Sequence, residues 1–382
     1  MGKQVDNPSH PPQFSVVIPV HNAGCQVAKC IRSLRASTYT DFELLVVDDC
    51  STDGTPEVIQ SCGAGCLRTP SQLGPAGARN LAARQAKGRI LVFVDADVQV
   101  PPEALEIFAE DFARDPLLAA VFGSYDRAPA EPDFFSQYKN LMHHYVHQNS
   151  NAMAATFWAG CGAIRKDLFQ DFGGFDAEKY SRPAIEDIDL GLRLTRAGYK
   201  VFLEKRVQVK HLKRWTFLGM LKSDIRDRAI PWSKLILETR EMPRDLNLTY
   251  GARLSTVCTL LLIVQTVCLL EFARWGKTFG RFVLIGTLMN VSALIVINLD
   301  VYRFFRRQRG IAFTLATVLT HWLYYLYSGL VWIYCYVTHY LGTALRPPST
   351  VRVVPLLEFQ AKAGPEDAGT QPDRSDAYMQ VR

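Results

Sequence analysis

The sequence lacks the common signatures for presenting a phosphate or a nucleophile. No G-x-G-x-x-G follows its first apolar strand, so the dinucleotide fingerprint is absent. No G-x-x-x-x-G-K-[ST] occurs, which excludes a P-loop NTPase, and no G-x-S-x-G occurs, which argues against an α/β-hydrolase. The nine cysteines are an odd number and include no C-x-x-C pair. Cys25, Cys30, Cys62 and Cys66 fall in a predicted helix and its neighbouring loops. Reduced thiols in a cytosolic compartment fit this better than a zinc site or a disulfide framework. Residues 1–13 are polar and contain no apolar run, so no signal peptide is expected. The net charge of +6 is mild, and no basic stripe interleaves with aromatics, so nucleic acid is not an expected partner.

Charge is also missing from three long stretches. Residues 254–270, 282–299 and 311–345 contain no Asp, Glu, Lys or Arg. Each is long enough to span a hydrocarbon core of ~30 Å. About three transmembrane helices are expected, at about 254–272, 282–301 and 311–342. Arg303, Arg306, Arg307 and Arg309 lie between the second and third, which makes that loop cytoplasmic. The N-terminal domain is then cytoplasmic too, and the chain a multi-pass protein of the cell membrane with its C-terminus outside. The tail, 346–382, has few large apolar residues and reads as disordered.

Before the first span the chain alternates strands and helices. Phe14 to Val20 reads as a strand, with a helix from Cys25 to about Ala36. Phe42 to Val47 is a second strand, ending in Asp48-Asp49-Cys50-Ser51-Thr52-Asp53. A helix spans about Gly77 to Ala86, and Ile90 to Val94 is a buried strand ending in Asp95-Ala96-Asp97. This spacing predicts a parallel, doubly wound α/β sheet, whose ligands sit at the carboxyl ends of the strands. Two close carboxylates there call for a nearby cation, Mg²⁺ or Mn²⁺ holding a phosphate. The plainer alternative is that they end a strand and cap the next helix.

Together these residues resemble a known family. Val17-Ile18-Pro19-Val20-His21-Asn22, the Asp48-to-Thr55 run, Ala78-Arg79-Asn80 and Asp95-Ala96-Asp97 resemble family 2 glycosyltransferases of the GT-A fold. Gly173-Gly174-Phe175-Asp176 and Glu186-Asp187-Ile188-Asp189 match that family's acceptor-side block. The resemblance covers about residues 14–215. It implies a Rossmann-like nucleotide-diphospho-sugar transferase domain. It also implies that Asp49 meets the donor's base, with Pro19, His21 and Asn22 in the first turn. Arg79 and Asp95 would face the nucleotide sugar, and Asp97 together with Asp95 would hold the metal. Asp187 would be the catalytic base, with Glu186 next to it. The cofactor would be Mg²⁺ or Mn²⁺.

Later residues add candidates. The resemblance also implies that His211 reaches the metal or diphosphate, and Arg214 is expected to pair with the diphosphate. Trp215 is expected to stack on an acceptor sugar or to sit at the bilayer surface. A polar-aromatic segment, 134–151, carries His143, His144 and His147 and reads as an acceptor-side helix. Residues 216–253 mix apolar and basic side chains, as interfacial helices broken at Pro231 would. Core-packed helices are the alternative. The reading is therefore an inverting, metal-dependent glycosyltransferase. Its partners are a nucleotide-sugar donor, the membrane, and a lipid or lipid-linked saccharide acceptor at the cytoplasmic face, as in envelope polysaccharide or glycolipid synthesis. A processive polysaccharide synthase is the runner-up. A non-catalytic lipid-binding or transport module with a degenerate nucleotide-binding domain is the rival from another class.

Overall fold

The computed structural model describes residues 10–242, 246–271 and 277–344. The expected disordered ends, 1–13 and 346–382, lie almost wholly outside these residues. The chain divides into units 1–339 and 340–382.

The strand β1 (Phe14–Val20) is paired in parallel with β2 (Phe42–Asp48) on one side and β4 (Ile90–Val94) on the other. All five residues of β4 are buried. That suits an apolar run covered on both faces. A short β3 (Cys66–Arg68) extends the β2 edge. The helices α1 (Gly24–Arg35), α2 (Thr55–Ser61) and α3 (Gly74–Gln85) make the crossovers. The carboxyl ends of β1, β2 and β4 thus share one edge, with His21, Asp49 and Asp95 just beyond them.

Beyond β4 the sheet departs from the all-parallel expectation. The full order is β3-β2-β1-β4-β7-β6-β8-β5. The strand β7 (Cys161–Arg165) runs antiparallel between β4 and β6 (Leu118–Tyr125). A short β5 (Val98–Gln99) pairs antiparallel with the end of β8 (Lys200–His211), setting Val98 opposite His211. The sheet is mixed because β7 follows a helix and loop that return along the same edge, leaving no parallel crossover into it.

Both faces are covered, as a doubly wound sheet requires. On one, Val16, Ile18 and Val92 pack against Ile31 and Leu34 of α1 and Phe108 of α4 (Ala104–Arg114). On the other, Phe93 meets Phe169 at 5.3 Å and Phe175 at 5.1 Å between ring centroids. The residue Phe169 belongs to α6 (Lys166–Asp171), and the same cluster takes Leu190 and Leu194 of α7 (Glu186–Arg196). Truncating a buried Phe of this kind costs about 3–5 kcal/mol.

After β8 the chain stays helical through Pro231 instead of breaking there. The helix α8 (Phe217–Ser223) runs into a π-helical turn, Asp224–Ala229, and on into α9 (Ile230–Thr239). A proline ring clashes with the carbonyl four residues earlier. Here that residue is Asp227, inside the widened turn, which relieves the clash without ending the helix. The Asp224 carboxylate is buried, accepting from Lys139 of α5 (Phe134–Asn149) and from the Tyr327 hydroxyl at 2.7 Å. Phe217 and Leu218 remain exposed.

Three long helices follow: α10 (Tyr250–Leu270), α11 (Lys277–Ile297) and α12 (Leu299–Ala344). Two helices among the described residues, Tyr250–Leu270 and Thr278–Ile297, are long and apolar enough to cross a membrane. The third expected span does not meet the same measure. It carries no charge, but His321, Trp322, Tyr324, Tyr325 and Tyr327 lower its hydropathy. The helix α12 is kinked at Gly310, where φ is 83°. Its first part packs on the sheet domain. Arg309 donates to Gln137 at 2.8 Å and to the Arg127 carbonyl at 3.1 Å, and Phe305 stacks on Tyr138. Between the long helices, Asn298 donates to Ser255 and accepts from the Tyr325 hydroxyl, at 2.9 and 2.8 Å.

Candidate active site

The strand edge gathers the acids that the sequence singled out. Asp49 is buried, and its carboxylate holds a loop. One oxygen accepts from the Thr69 hydroxyl and the Leu73 amide, at 2.9 and 2.8 Å, and the other from the Gly74 amide at 2.8 Å. Some acceptor capacity remains on the second oxygen. His21 and Asn22 are exposed at the mouth. The His21 Nδ1 donates to the Asp49 carbonyl at 2.8 Å, which leaves Nε2 to accept from the Asn22 amide at 3.2 Å. Asn22 has φ 51° and accepts from the Thr52 amide at 2.8 Å, closing the first turn onto the second. Pro19 pairs with Val47 within the sheet.

Deeper in, Arg79 of α3 is buried between two carboxylates. It donates to Asp95 at 2.6 Å and to Glu186 at 2.9 Å. Burial works against its charge, and the carboxylates of Asp95, Glu186 and Asp187 more than offset that, so its pKa is raised. For Asp95, burial outweighs the Arg79 cation and the pKa also rises. Glu186 spends its second oxygen on the Ala184 amide at 3.0 Å and is 4% exposed. Its carboxylate is thus committed to the protein.

Asp187 differs from its neighbour. It is partly exposed, and its two oxygens accept from the Ala159 and Ile188 amides at 2.9 and 2.8 Å. Gly191 permits this placement. A Cβ there would lie 2.1 Å from the Phe157 amide nitrogen, so only glycine lets α7 press on the 156–159 segment. Burial first, and then the charge of Glu186, lift the Asp187 pKa to about 7.

Asp97 faces His211 across the β5–β8 pair, with 3.6 Å between Oδ2 and Nε2. Burial acts to raise its pKa, but His211 and the Lys213 ammonium outweigh burial and hold it below the ordinary value. A carboxylate oxygen and an imidazole nitrogen suit Mn²⁺ or Mg²⁺. No cluster of three or more such side chains occurs among the described residues. A cation held by this pair would need its remaining ligands from phosphate oxygens and water, as Mg²⁺ often takes them.

Residues 15–173 match the glycosyl transferase family 2 profile. The chain carries a family 2 glycosyltransferase domain. It is 33% identical over 132 residues to the poly(ribitol-phosphate) β-N-acetylglucosaminyltransferase TarS of Staphylococcus aureus, covering 32% of this chain and 23% of that one. It is 27% identical to the glycosyltransferase AglE of Haloferax volcanii, over 56% of this chain and 71% of that one. A mannosyltransferase from Pyrobaculum calidifontis, solved with GDP-Man and Mn²⁺, superposes with a TM-score of 0.54 at 19% identity, over 82% of this chain and 88% of that one. This last likeness establishes the shared fold. The chain spans less than two thirds of the length of several of the curated relatives it matches, 23% to 61% in TarS and two Haemophilus influenzae glycosyltransferases.

The glycosyltransferase domain keeps two of the expected residues away from the acids' cluster. Trp215 is 8% exposed and packs with Tyr138, Leu141, Met220 and Phe305. Its backbone amide donates to Ser136 at 2.7 Å, and Lys213 lies 4.3 Å over its ring. The ring is packed between the end of β8 and the helices, with 8% of its surface exposed. Arg214 is exposed, and its charge is felt by Asp133 at the start of α5. The structure also brings in residues that the sequence reading missed. Tyr125, at the end of β6, stacks on His211, and Trp158 lies against Tyr125 edge to face, 5.0 Å between centroids. Burial, and then the charges of Asp97 and Asp95, push the Tyr125 pKa well above its usual value. A strand ending in Tyr at the same sheet edge was the available signal.

Proposed function

We propose that this protein is an inverting, metal-dependent glycosyltransferase that moves a sugar from a nucleotide-sugar donor to a membrane-presented acceptor, a lipid or lipid-linked saccharide. The observation that carries the reading is the Asp187 carboxylate. It is fixed by two amides, open to solvent in part, and poised with a pKa of about 7, where a general base works best near neutrality.

The chemistry needs one displacement. The acceptor hydroxyl gives its proton to Asp187, and its oxygen forms a bond to the anomeric carbon. The bond from that carbon to the diphosphate breaks, and its electron pair leaves with the nucleoside diphosphate. No enzyme nucleophile intervenes, so the anomeric configuration inverts. The transition state is oxocarbenium-like, as in glycoside hydrolysis. Asp97 and His211 would hold Mn²⁺ or Mg²⁺, which when bound neutralises charge on the departing diphosphate. Asp49 and the loop it ties down would form the floor of the base pocket, with Pro19, His21 and Asn22 at its mouth. Arg79 would keep Asp95 aimed at the donor and Glu186 out of the acceptor's way. Arg214 is kept as a diphosphate partner only if its exposed side chain swings inward on donor binding.

The membrane reading rests on α10 and α11 as two spans that return the chain to the side of the sheet domain. The contacts of Arg309 with Gln137 and Arg127 accord with that, because they hold the Arg-rich segment beside the domain. With basic segments facing the cytoplasm, the domain would be cytoplasmic, and the part of α12 beyond Gly310 would be a third, less apolar span. The helices of residues 217–239 would lie at the interface through Phe217 and Leu218. Non-processive transfer is favoured over a processive synthase because His211 is turned to Asp97 and Trp215 is packed away.

The test is the purified full chain with Mn²⁺ or Mg²⁺, screened against a panel of nucleotide sugars for diphosphate release in the presence of membrane lipid extracts. Donor-specific, metal-dependent release supports the reading. No release from any donor contradicts it.

A further inference from the structure

Metal-ligating histidines almost always donate their second ring nitrogen to a carboxylate or carbonyl, which fixes the ring. His211 departs from that pattern. Its Nε2 faces Asp97, and among the described residues no hydrogen bond from Nδ1 fixes the ring. The imidazole is nevertheless 5% exposed and lies nearly flat on Tyr125, with 4.3 Å between centroids and 18° between planes.

The Tyr125 ring is itself wedged. His143 of α5 lies 4.5 Å away on centroids, and Trp158 meets it edge to face. Trp158 in turn rests on Gly160, where a Cβ would come 2.3 Å from the indole. His147 closes the group, 3.9 Å from His143 and 5.7 Å from Trp158. The wall is continuous from α5 to the strand end that carries His211.

We propose that Tyr125 is the positioning residue for His211: its ring, braced by His143 and Trp158, replaces the missing Nδ1 hydrogen bond and holds Nε2 toward the cation that Asp97 and His211 share. The inference rests on the reading of that pair as the metal holders. The ring does the work through its flat face, so phenylalanine can substitute and a branched aliphatic cannot. An aliphatic side chain leaves the imidazole free to rotate about its two side-chain bonds, and the cation then loses an oriented ligand. The loss of such a supporting partner costs roughly 10–100-fold in metal affinity.

The experiment is Mn²⁺ binding to the full chain in detergent, read by the loss of the free-ion electron paramagnetic resonance signal, with GDP and separately UDP present. Tyr125→Phe should bind Mn²⁺ as the wild type does. Tyr125→Leu should bind it roughly 10–100-fold more weakly, while its thermal melting shows a folded protein. In a His211→Ala background, Tyr125→Leu should cause no further loss, because the residue it positions is gone. Equal Mn²⁺ affinity in wild type and Tyr125→Leu overturns the inference alone. So does a Tyr125→Leu loss of the same size in the His211→Ala background. Absence of Mn²⁺ binding by the wild type with either nucleotide overturns the metal reading and this inference together.

Discussion

Asn in place of Asp187 should make the protein more stable. A carboxylic acid whose folded pKa lies above its unfolded value holds its proton more tightly in the folded state. The folded state is then favoured fully below the unfolded pKa, and that advantage is lost as pH rises through the folded pKa. For Asp187 the window runs from 3.8 to about 7. A rise of about 3 units at 1.36 kcal/mol each sets a ceiling of roughly 4 kcal/mol of strain above neutrality. Partial exposure screens part of this, so about 1–2 kcal/mol is the expected figure. Asparagine has no charge to desolvate, and its oxygen can still accept from the Ala159 or Ile188 amide. Asp187→Asn should therefore melt roughly 2–8 °C above wild type at pH 8. The gap should close as pH falls toward 4. Thermal unfolding in detergent across that range is the assay. A variant that melts lower at pH 8, or a gap indifferent to pH, would refute the reasoning.

Further outcomes follow from the same residues. Glu186→Gln removes a charge that lifts the Asp187 pKa and leaves Arg79 less neutralised, so the acid limb of the kcat/KM profile should move to lower pH; an unmoved or raised limb contradicts this. Arg79→Met strands the buried carboxylate of Glu186 and the half-buried one of Asp95, and should destabilise by about 3–5 kcal/mol in chemical denaturation. Arg79→Lys should recover only part of that loss, because one ammonium cannot fork to both carboxylates, and full recovery would count against the bridging role. Asp97→Asn should abolish metal-stimulated turnover while the fold survives, EDTA should mimic it reversibly, and full activity in EDTA would remove the metal from the account.

The strand-end acids were legible because burial dictates their pattern. Five apolar residues before Asp95 can only be a covered strand, and its carboxyl end is where such sheets present ligands. The residues by themselves marked Glu186 and Asp187 only as a pair; the assignment of the base to Asp187 came from the family resemblance. Adjacent helix residues point in different directions, and only the fold shows one turned to Arg79 and the other to the opening. The burial of Trp215 was not legible for a related reason: an amphipathic aromatic suits a platform, an interface or a core equally, and its partner Ser136 comes from another part of the chain. Tyr125 left only the signal of a strand ending in Tyr, and Trp158 left less, since it lies just before β7, whose antiparallel place beside β4 was not expected. The third long stretch was read as a span from its lack of charge. Its tyrosines and two histidines carry polar groups that charge counting ignores.

The most direct test of the account is steady-state turnover of Asp187→Asn at saturating donor, beside its affinity for the nucleoside diphosphate. Loss of a general base typically lowers the rate by roughly 10²–10⁴-fold. The account predicts a kcat reduced by that factor with diphosphate affinity nearly unchanged, since Asp49, Asp95 and Asp97 are untouched. Near-normal turnover by Asp187→Asn would contradict it.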